Sequence, residues 1–268
     1  FSWYRLSGIS YSTSSVYNEW EMLADDRLKL AVTESDGTTQ CYVEIEKWDN
    51  VAEEAFLWVK APTITSASDT NFYLYYDSTQ DDNTTYVGVV GDSPAQSVWD
   101  DNFTHVFHHA QDPSGGADSF IDSTSTANHG DPTNMVSADR VESAVGDGYQ
   151  YDTNEFIDNI GETNFSLVSG TVQFIMKQTY QDSNQGIWQV YTSDANRLLV
   201  WYFGTGASHD HKIKLATGGG LQFAANTLPG TSTTYFIFIE KNKIIQAFIF
   251  LFFFFRNYFI KSNPHLSK

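Results

Sequence analysis

Two short polar segments carry the side chains of this sequence that are best suited to holding a cation. The first contains Asp122 and Asn128, and the second contains Asp152 and Asp158. Ca²⁺ takes about six to eight oxygen ligands from carboxylates, amides and backbone carbonyls. These four residues therefore predict a structural calcium site. The alternative interpretation is that Asp122 and Asn128 only form side-chain-to-backbone hydrogen bonds within a turn.

Residues that could bind zinc or carry catalysis are present, but they lack the spacing that such sites use. His105 and His108 have no third ligand at a fixed spacing, which a zinc site requires. A glycosidase needs two carboxylates across a cleft. The pair that comes nearest to a catalytic strand motif is Glu44-x-Glu46, and it lies in the first part of the chain. The sequence contains no Gly-x-Ser-x-Gly elbow and no phosphate-binding loop. These observations favour a protein that is not an enzyme, and a polysaccharide hydrolase is kept as the last alternative.

Aromatic side chains of the C-terminal half suggest a second kind of chemistry, the recognition of sugars. Exposed aromatic rings beside Asp, Asn and Gln are a common arrangement in carbohydrate sites. The candidates for such a stacking platform are Trp188, Tyr191, Trp201 and Tyr202. Aromatic residues at strand spacing are also typical of a sandwich core, so burial in the core is the alternative interpretation for all four.

The charge of the chain limits its partners. It carries 33 acidic and 15 basic residues, for a formal net charge of −18. A chain this acidic repels a phosphate backbone, which argues against nucleic acid as a partner. Cys41 is the single cysteine, so no intrachain disulfide can form.

The elements that must position these residues are short strands separated by turn residues, a pattern that predicts an all-β fold. Residues 41–48 alternate cleanly, which places Val43 and Ile45 on one face of a strand and the two glutamates of this run on the other. Residues 71–76 carry aromatic side chains at both odd and even positions, so these side chains would face both sides of a strand. This favours a central strand that is buried on both faces.

Composition divides the chain into three parts. The polar stretch 77–92 predicts a linker, so residues 1–92 and residues 93–240 are expected to form separate β-sandwich domains. The tail 241–268 holds seven of the twenty Phe residues and no acidic residue. Its three interpretations are a C-terminal membrane anchor, a buried final strand pair, and the product of a shifted reading frame. Membrane contact is expected only if the tail is a native anchor.

Four segments of the first part carry a family resemblance. In chain order they are residues 35–40 (SDGTTQ), 43–48 (VEIEKW), 57–62 (LWVKAP) and 72–76 (FYLYY). Together they resemble a bacterial, archaeal and viral family known only as a domain of unknown function. That family is often followed by a concanavalin-A-like jelly roll of the laminin G type.

The second part resembles this companion domain. Residues 122–130 are similar to its polar turn, and residues 149–158 and 165–177 are similar to two of its strand segments. The resemblance implies that residues 93–240 form a concanavalin-A-like (laminin-G-type) jelly roll. Jelly rolls of this kind often hold one structural Ca²⁺, so the resemblance also supports the calcium hypothesis.

The sequence as a whole predicts an extracellular or cell-surface module for binding or adhesion. Its expected partner is a glycan or another surface ligand. The first alternative is a structural component of a surface layer, a fibre or a virion, and the second is the hydrolase already mentioned. The prediction of binding or adhesion rests on fold-level analogy, because the sequence contains no motif that specifies a ligand.

Overall fold

The computed structural model describes residues 2–7, 26–52, 54–64, 69–152 and 154–158, together with the backbone of six strands between residues 171 and 240. Contacts divide the chain into two compact units, Phe1–Phe165 and Ser166–Lys268. Strands dominate the described part of each unit, as the all-β prediction requires. No helix among the described residues is long and apolar enough to cross a membrane.

The first unit contains eleven described strands and one short helix. The strands are β1 (Ser2–Ser7), β2 (Leu30–Thr33), β3 (Gln40–Cys41), β4 (Val43–Asp49), β5 (Glu54–Val59), β6 (Tyr73–Tyr76), β7 (Val87–Val89), β8 (Asp131–Thr133), β9 (Arg140–Glu142), β10 (Asp147–Tyr149) and β11 (Phe156–Asp158). Helix α1 spans Ser93–Gln96, and two 3₁₀ turns follow at Pro113–Gly115 and Ser137–Asp139.

Two sheets pack face to face in this unit. Sheet one has the order β1-β5-β4-β7, in which β4 and β7 are parallel, and sheet two has the order β3-β2-β6. The alternation of apolar residues along each strand turns one face of each sheet inward. The resulting core is formed by buried residues from both sheets: Leu30, Val32, Cys41, Val43, Ile45, Ala55, Leu57, Val59 and Val87.

Strand β4 changes its alternation halfway along. Its register with β5 pairs Ile45 with Leu57 and then Lys47 with Phe56, so Glu46 is an extra residue in the ladder. Such a β-bulge reverses the order in which side chains face the two sides of a sheet. This explains why Trp48 packs against the core although it lies an even number of residues from Glu46. It also explains why Lys47 reaches the outer side of sheet one.

The outer face of sheet one is covered by the chain that follows α1. Trp99 and His108 contact Glu44 of β4, and Lys60 Nζ donates to the Ser97 carbonyl at 2.9 Å. The predicted boundary between residues 92 and 93 therefore falls inside the first unit. The stretch 77–92, expected as a linker, contains β7, whose Val87 is buried in the core. A strand of three residues between polar turns gives too short a pattern for the sequence to reveal it.

The second unit is described by its backbone. Strand β12 (Thr171–Lys177) pairs antiparallel with β17 (Thr234–Glu240) along its whole length. Strands β13 (Gly186–Ser193), β14 (Asn196–Phe203), β15 (Asp210–Thr217) and β16 (Gly220–Thr227) form a four-stranded antiparallel sheet in chain order. The jelly-roll arrangement of residues 93–240 stays a prediction, and the tail 241–268 lies outside the described residues.

Candidate functional site

A buried cluster of charges lies between β4 and the covering segment. Glu44 is 0% exposed, and its Oε2 lies 3.0 Å from His108 Nε2. Glu46 Oε2 lies 3.3 Å from His108 Nδ1. Because Glu44 and Glu46 are two residues apart on one strand, they face the same side and hold the imidazole between them. We call Glu44, Glu46 and His108 the carboxylate–histidine cluster.

Two tryptophans complete this cluster. Trp99 Nε1 donates to Glu44 Oε2 at 2.7 Å, and Trp58 Nε1 donates to Glu46 Oε2 at 2.6 Å. The two indole rings contact each other with centroids 5.3 Å apart, and both contact the ring of His108. The carboxylates are therefore held in a closed, aromatic environment, rather than facing each other across an open cleft as a glycosidase pair does.

The electrostatics of the cluster favour a protonated His108. Burial alone opposes the charged form, but the adjacent carboxylates of Glu44 and Glu46 outweigh it and raise the pKa of His108 to about 10. The neighbouring His109 shows the opposite effect, since burial and the charge of His108 lower its pKa to about 4. At neutral pH one imidazolium thus bridges two strand carboxylates to the covering segment.

Gly146 closes the cluster from the segment before β10. It adopts a left-handed backbone conformation with φ of +57°, and a Cβ at this position would overlap Glu46 Oε1. Lys47 Nζ, on the adjoining residue of β4, bonds to Asp147 Oδ1 at 2.8 Å. Both contacts fix the β9–β10 hairpin on the outer face of sheet one.

Substitution of Gly146 by alanine is expected to destabilise the protein by about 2–4 kcal/mol, because it combines left-handed strain with a clash against Glu46. Gly91→Ala is the control, since Gly91 also has a positive φ, of +92°, but an added Cβ would meet only the side chain of Ile121, at 3.3 Å. We expect Gly91→Ala to cost only about 1–2 kcal/mol. Urea unfolding measures both free energies, and equal losses would show that the contact with Glu46 is unimportant.

A second buried carboxylate organises the predicted calcium segment. Asp122 is 0% exposed, and its Oδ1 accepts the backbone amides of Val106 and Thr124 at 3.1 and 3.0 Å. Its Oδ2 accepts from the Thr124 hydroxyl at 3.0 Å and from the Asn128 amide at 3.2 Å, and it lies 3.3 Å from His105 Nδ1. Burial raises the pKa of Asp122, but the hydrogen bonds from His105 and the other donors outweigh it, so that its pKa lies below the ordinary value.

The four predicted calcium ligands occupy different surroundings. Asn128 belongs to the same loop as Asp122 and donates to it through its backbone. Asp158 lies in β11 opposite Asp131 of β8. The backbone amide of Asp152 donates to the side chain of Glu155, which directly precedes β11. Within the described part of the chain, no group of three or more His, Cys, Asp or Glu residues is placed to hold a metal ion. The calcium site stays a prediction.

The predicted sugar platform lies on two neighbouring strands of the second unit. Trp188 and Tyr191 belong to β13, and Trp201 and Tyr202 belong to β14. In the register of the sheet, Tyr191 pairs with Arg197 and Tyr202 pairs with Gly186. The side chains of these strands lie outside the described residues, so the platform stays a prediction.

A different pair of aromatic residues is exposed on sheet two. Tyr73 and Tyr75 lie two residues apart on β6, each 48% exposed, with ring centroids 6.5 Å apart and a tilt of 53°. Leu74 between them packs against the core. We call Tyr73 and Tyr75 the tyrosine face.

The tyrosine face differs from the sequence prediction of a central strand buried on both sides. Among the described strands, β6 lies at the edge of sheet two, since the order is β3-β2-β6, and Leu74 and Phe72 are the residues of this run that pack against the core. One available signal was the residue type, because a tyrosine keeps its hydroxyl tip in water more readily than a leucine or valine would.

Hydrogen-bonding groups lie next to the tyrosine face. In the ladder of sheet two, Thr33 pairs with Tyr73 on one side and with Gln40 on the other. Gln40 is exposed, and its Oε1 accepts from Asn83 Nδ2 at 2.8 Å. The outer face of this sheet therefore presents two aromatic rings beside amide side chains.

The first unit is thus a β-sandwich with a covered face and an exposed aromatic face. Residues 26–116 match the family described as Domain of unknown function (DUF2341). This match confirms the family resemblance of the first part, and it contains all four segments that suggested it, as well as the carboxylate–histidine cluster and the tyrosine face. Comparisons with curated proteins and with solved structures returned no match. The resemblance of residues 93–240 to a laminin-G-type jelly roll stays a prediction.

Proposed function

We propose that this chain is an extracellular or cell-surface binding module whose ligand is a carbohydrate. The observation that carries the proposal is the tyrosine face, two half-exposed aromatic rings on an edge strand. Aromatic rings bind the apolar faces of sugar rings, and amide side chains such as that of Gln40 bind the hydroxyls. The tilt between the two rings gives a twisted surface, which suits a ligand of more than one sugar unit.

We further propose that residues 93–240 form a concanavalin-A-like (laminin-G-type) jelly roll. In this proposal the jelly roll offers a second carbohydrate platform through Trp188, Tyr191, Trp201 and Tyr202, and it holds one structural Ca²⁺ at Asp122, Asn128, Asp152 and Asp158. The acidic charge of the chain is consistent with cation binding. These finer assignments are supported by the resemblance of residues 122–130 and 149–158.

A glycan array, probed with the full chain in calcium and again in EDTA, tests the proposed function. We expect binding to a limited set of related glycans, and a weaker signal in EDTA if calcium stabilises the proposed jelly roll of residues 93–240. Failure on every glycan, together with ordered self-assembly of the chain, would instead favour the structural role in a surface layer, fibre or virion. Release of sugars from a polysaccharide panel would favour the hydrolase.

Tyr73→Ala and Tyr75→Ala are each expected to weaken binding of the strongest array glycan about tenfold, because each removes a stacking ring worth about 1–2 kcal/mol. Tyr73→Phe and Tyr75→Phe keep the rings and are expected to retain most of the affinity. Isothermal titration calorimetry measures these constants. Tyr151→Ala is the control, since Tyr151 is 43% exposed outside sheet two, and a loss as large as that of Tyr73→Ala would contradict the assignment of the binding surface.

A further inference from the structure

A cavity of about 320 Å³ lies beside the end of β4 in the first unit. Strand β7 pairs with β4 only as far as Val89, which is opposite Ile45, whereas β4 continues to Asp49. The early end of β7 leaves a gap along this edge of sheet one. Its polar and aromatic lining comes from Arg27, Glu46, Trp48 and Gln111. Its volume falls at the lower end of the range of about 300–1,000 Å³ that is usual for small-ligand sites.

The β-bulge supplies two unlike side chains to the lining of this cavity. Glu46 is the extra residue of the bulge and faces the outer side of sheet one, whereas Trp48 follows it after the alternation has reversed and packs on the core side. Bulges often re-aim side chains beside binding sites. Here the cavity lies at the edge of β4 and is lined by both residues, a carboxylate and an indole ring from opposite faces of the strand.

The carboxylate of Glu46 is held in one orientation. Trp58 Nε1 and His108 Nδ1 both contact its Oε2, at 2.6 and 3.3 Å. Its Oε1 faces Gly146, where an added Cβ would overlap it. The acceptor that the lining offers to a ligand is Gln111 Oε1, which is buried and has no hydrogen-bond partner among the described residues. A buried acceptor without a partner is preorganised to accept a hydrogen bond from a ligand.

The charges and hydrogen-bonding groups of the lining limit the class of ligand. Glu44, Glu46 and the protonated His108 together leave one negative charge beside the cavity. The positive charge of Arg27 balances it, so the cavity favours a neutral ligand. The guanidinium donates, and the Gln111 amide can both donate and accept. Hydroxyl groups match this mixture, because each can donate and accept. The indole ring of Trp48 and the valines at the end of β7 supply the apolar surface that the carbon face of a sugar ring contacts.

We infer that this cavity binds one neutral sugar residue. The inference rests on the proposed carbohydrate-binding function, and it adds a pocket for a single residue to the open surface formed by the tyrosine face. The two sites use different residues, so each can be tested alone.

The test uses the full chain labelled with 5-fluorotryptophan and observed by ¹⁹F NMR. The Trp48 resonance is assigned with Trp48→Phe. The probes are glucose, galactose, mannose, fucose and N-acetylglucosamine, each titrated into the millimolar range. We expect at least one of them to shift the Trp48 resonance in a saturable way, and the absence of any shift across the panel would overturn the inference.

Ala110→Phe places a ring in the cavity without removing a side-chain hydrogen bond. We expect it to lower the affinity for the sugar at least tenfold. Ala52→Phe is the matched control, since Ala52 is exposed on the β4–β5 turn, and its affinity should stay within twofold of wild type. Gln111→Leu, expected to weaken binding at least fivefold, is a second variant in case Ala110→Phe does not fold. Wild-type affinity in a folded Ala110→Phe or Gln111→Leu protein would overturn the inference.

The double variant Tyr73→Ala/Tyr75→Ala separates this inference from the proposed function. It should lose array binding and keep the shift of Trp48. If array binding depends on the two tyrosines but no sugar shifts the Trp48 resonance, the inference about the cavity is overturned and the proposed function stands. A sugar-dependent shift of Trp48 in a protein that binds no array glycan would support the cavity and count against the tyrosine face.

Discussion

Replacing His108 with leucine is expected to destabilise the protein by about 3–5 kcal/mol, because the substitution leaves two buried carboxylates without their countercharge. Glu44 and Glu46 are both buried, and the imidazole is their shared partner at 3.0 and 3.3 Å. The covering segment would then lose its main polar attachment to sheet one. Urea unfolding followed by tryptophan fluorescence measures the loss, since Trp58 and Trp99 flank the cluster.

A second background isolates the electrostatic part of this effect. Glu44→Gln/Glu46→Gln keeps acceptor oxygens for the two indole N–H groups but removes both negative charges. In that background, His108→Leu should cost at least about 2 kcal/mol less than in the wild type. Lys29→Ala, which breaks an ion pair with Asp26 at the surface, is the control and should cost far less stability than His108→Leu. A His108→Leu protein as stable as this control would contradict the role of the cluster.

The same cluster sets a dependence of stability on pH. The pKa of His108 is raised to about 10 in the folded protein, above the ordinary value of 6.5. Its contribution to stability is therefore complete below about pH 6.5 and is lost as the pH rises through 10. His109 acts on the acid side, where a pKa lowered to about 4 removes stability as the pH falls below about 6.5. The difference in unfolding free energy between wild type and His108→Leu should shrink between pH 7 and pH 10.

Replacing Asp122 with alanine is the second large effect that we expect, again about 3–5 kcal/mol. Asp122 accepts three backbone amides, those of Val106, Thr124 and Asn128, and it is fully buried. Each amide left without an acceptor in the interior costs about 1–3 kcal/mol, and water can restore only part of that loss. Urea unfolding of Asp122→Ala measures the total.

Asp36→Ala is the matched control for this prediction. Asp36 makes the same kinds of bonds, to the amides of Thr38 and Thr39 and to the Thr39 hydroxyl, but it is exposed on the β2–β3 turn. Water can replace its oxygens, so we expect a much smaller loss of stability than for Asp122→Ala. Similar losses at Asp36 and Asp122 would show that burial does not decide the outcome.

Some of this architecture could be predicted from local pattern. Val43 and Ile45 alternate with charged residues, and the structure places both in the core. The bulge at Glu46 could not be predicted, because the run continues to alternate across it and the extra residue is visible only in the pairing with β5. Strand β7 could not be predicted either, because its three residues gain their burial from β4, which is more than 40 residues away.

The candidate sites show the same division. The alternative interpretation of Asp122, as the centre of a hydrogen-bonded turn, follows from residue type and describes the contacts that it makes. The partnership of His108 with Glu44 joins residues 64 positions apart, and no local spacing encodes it. Tyr73 and Tyr75 are half exposed because nothing among the described residues covers them on their face of sheet two, and the sequence of β6 alone does not indicate which face of the strand will be covered.

The central claim, that the tyrosine face binds carbohydrate, is tested most directly by ¹⁹F NMR of the full chain labelled with 3-fluorotyrosine, with Tyr73 and Tyr75 assigned by their phenylalanine variants. On addition of the strongest array glycan, both resonances should shift with the same saturation curve, while that of Tyr149, packed among His109 and Phe120, should not move. Unchanged Tyr73 and Tyr75 resonances at a glycan concentration that saturates binding would contradict the claim.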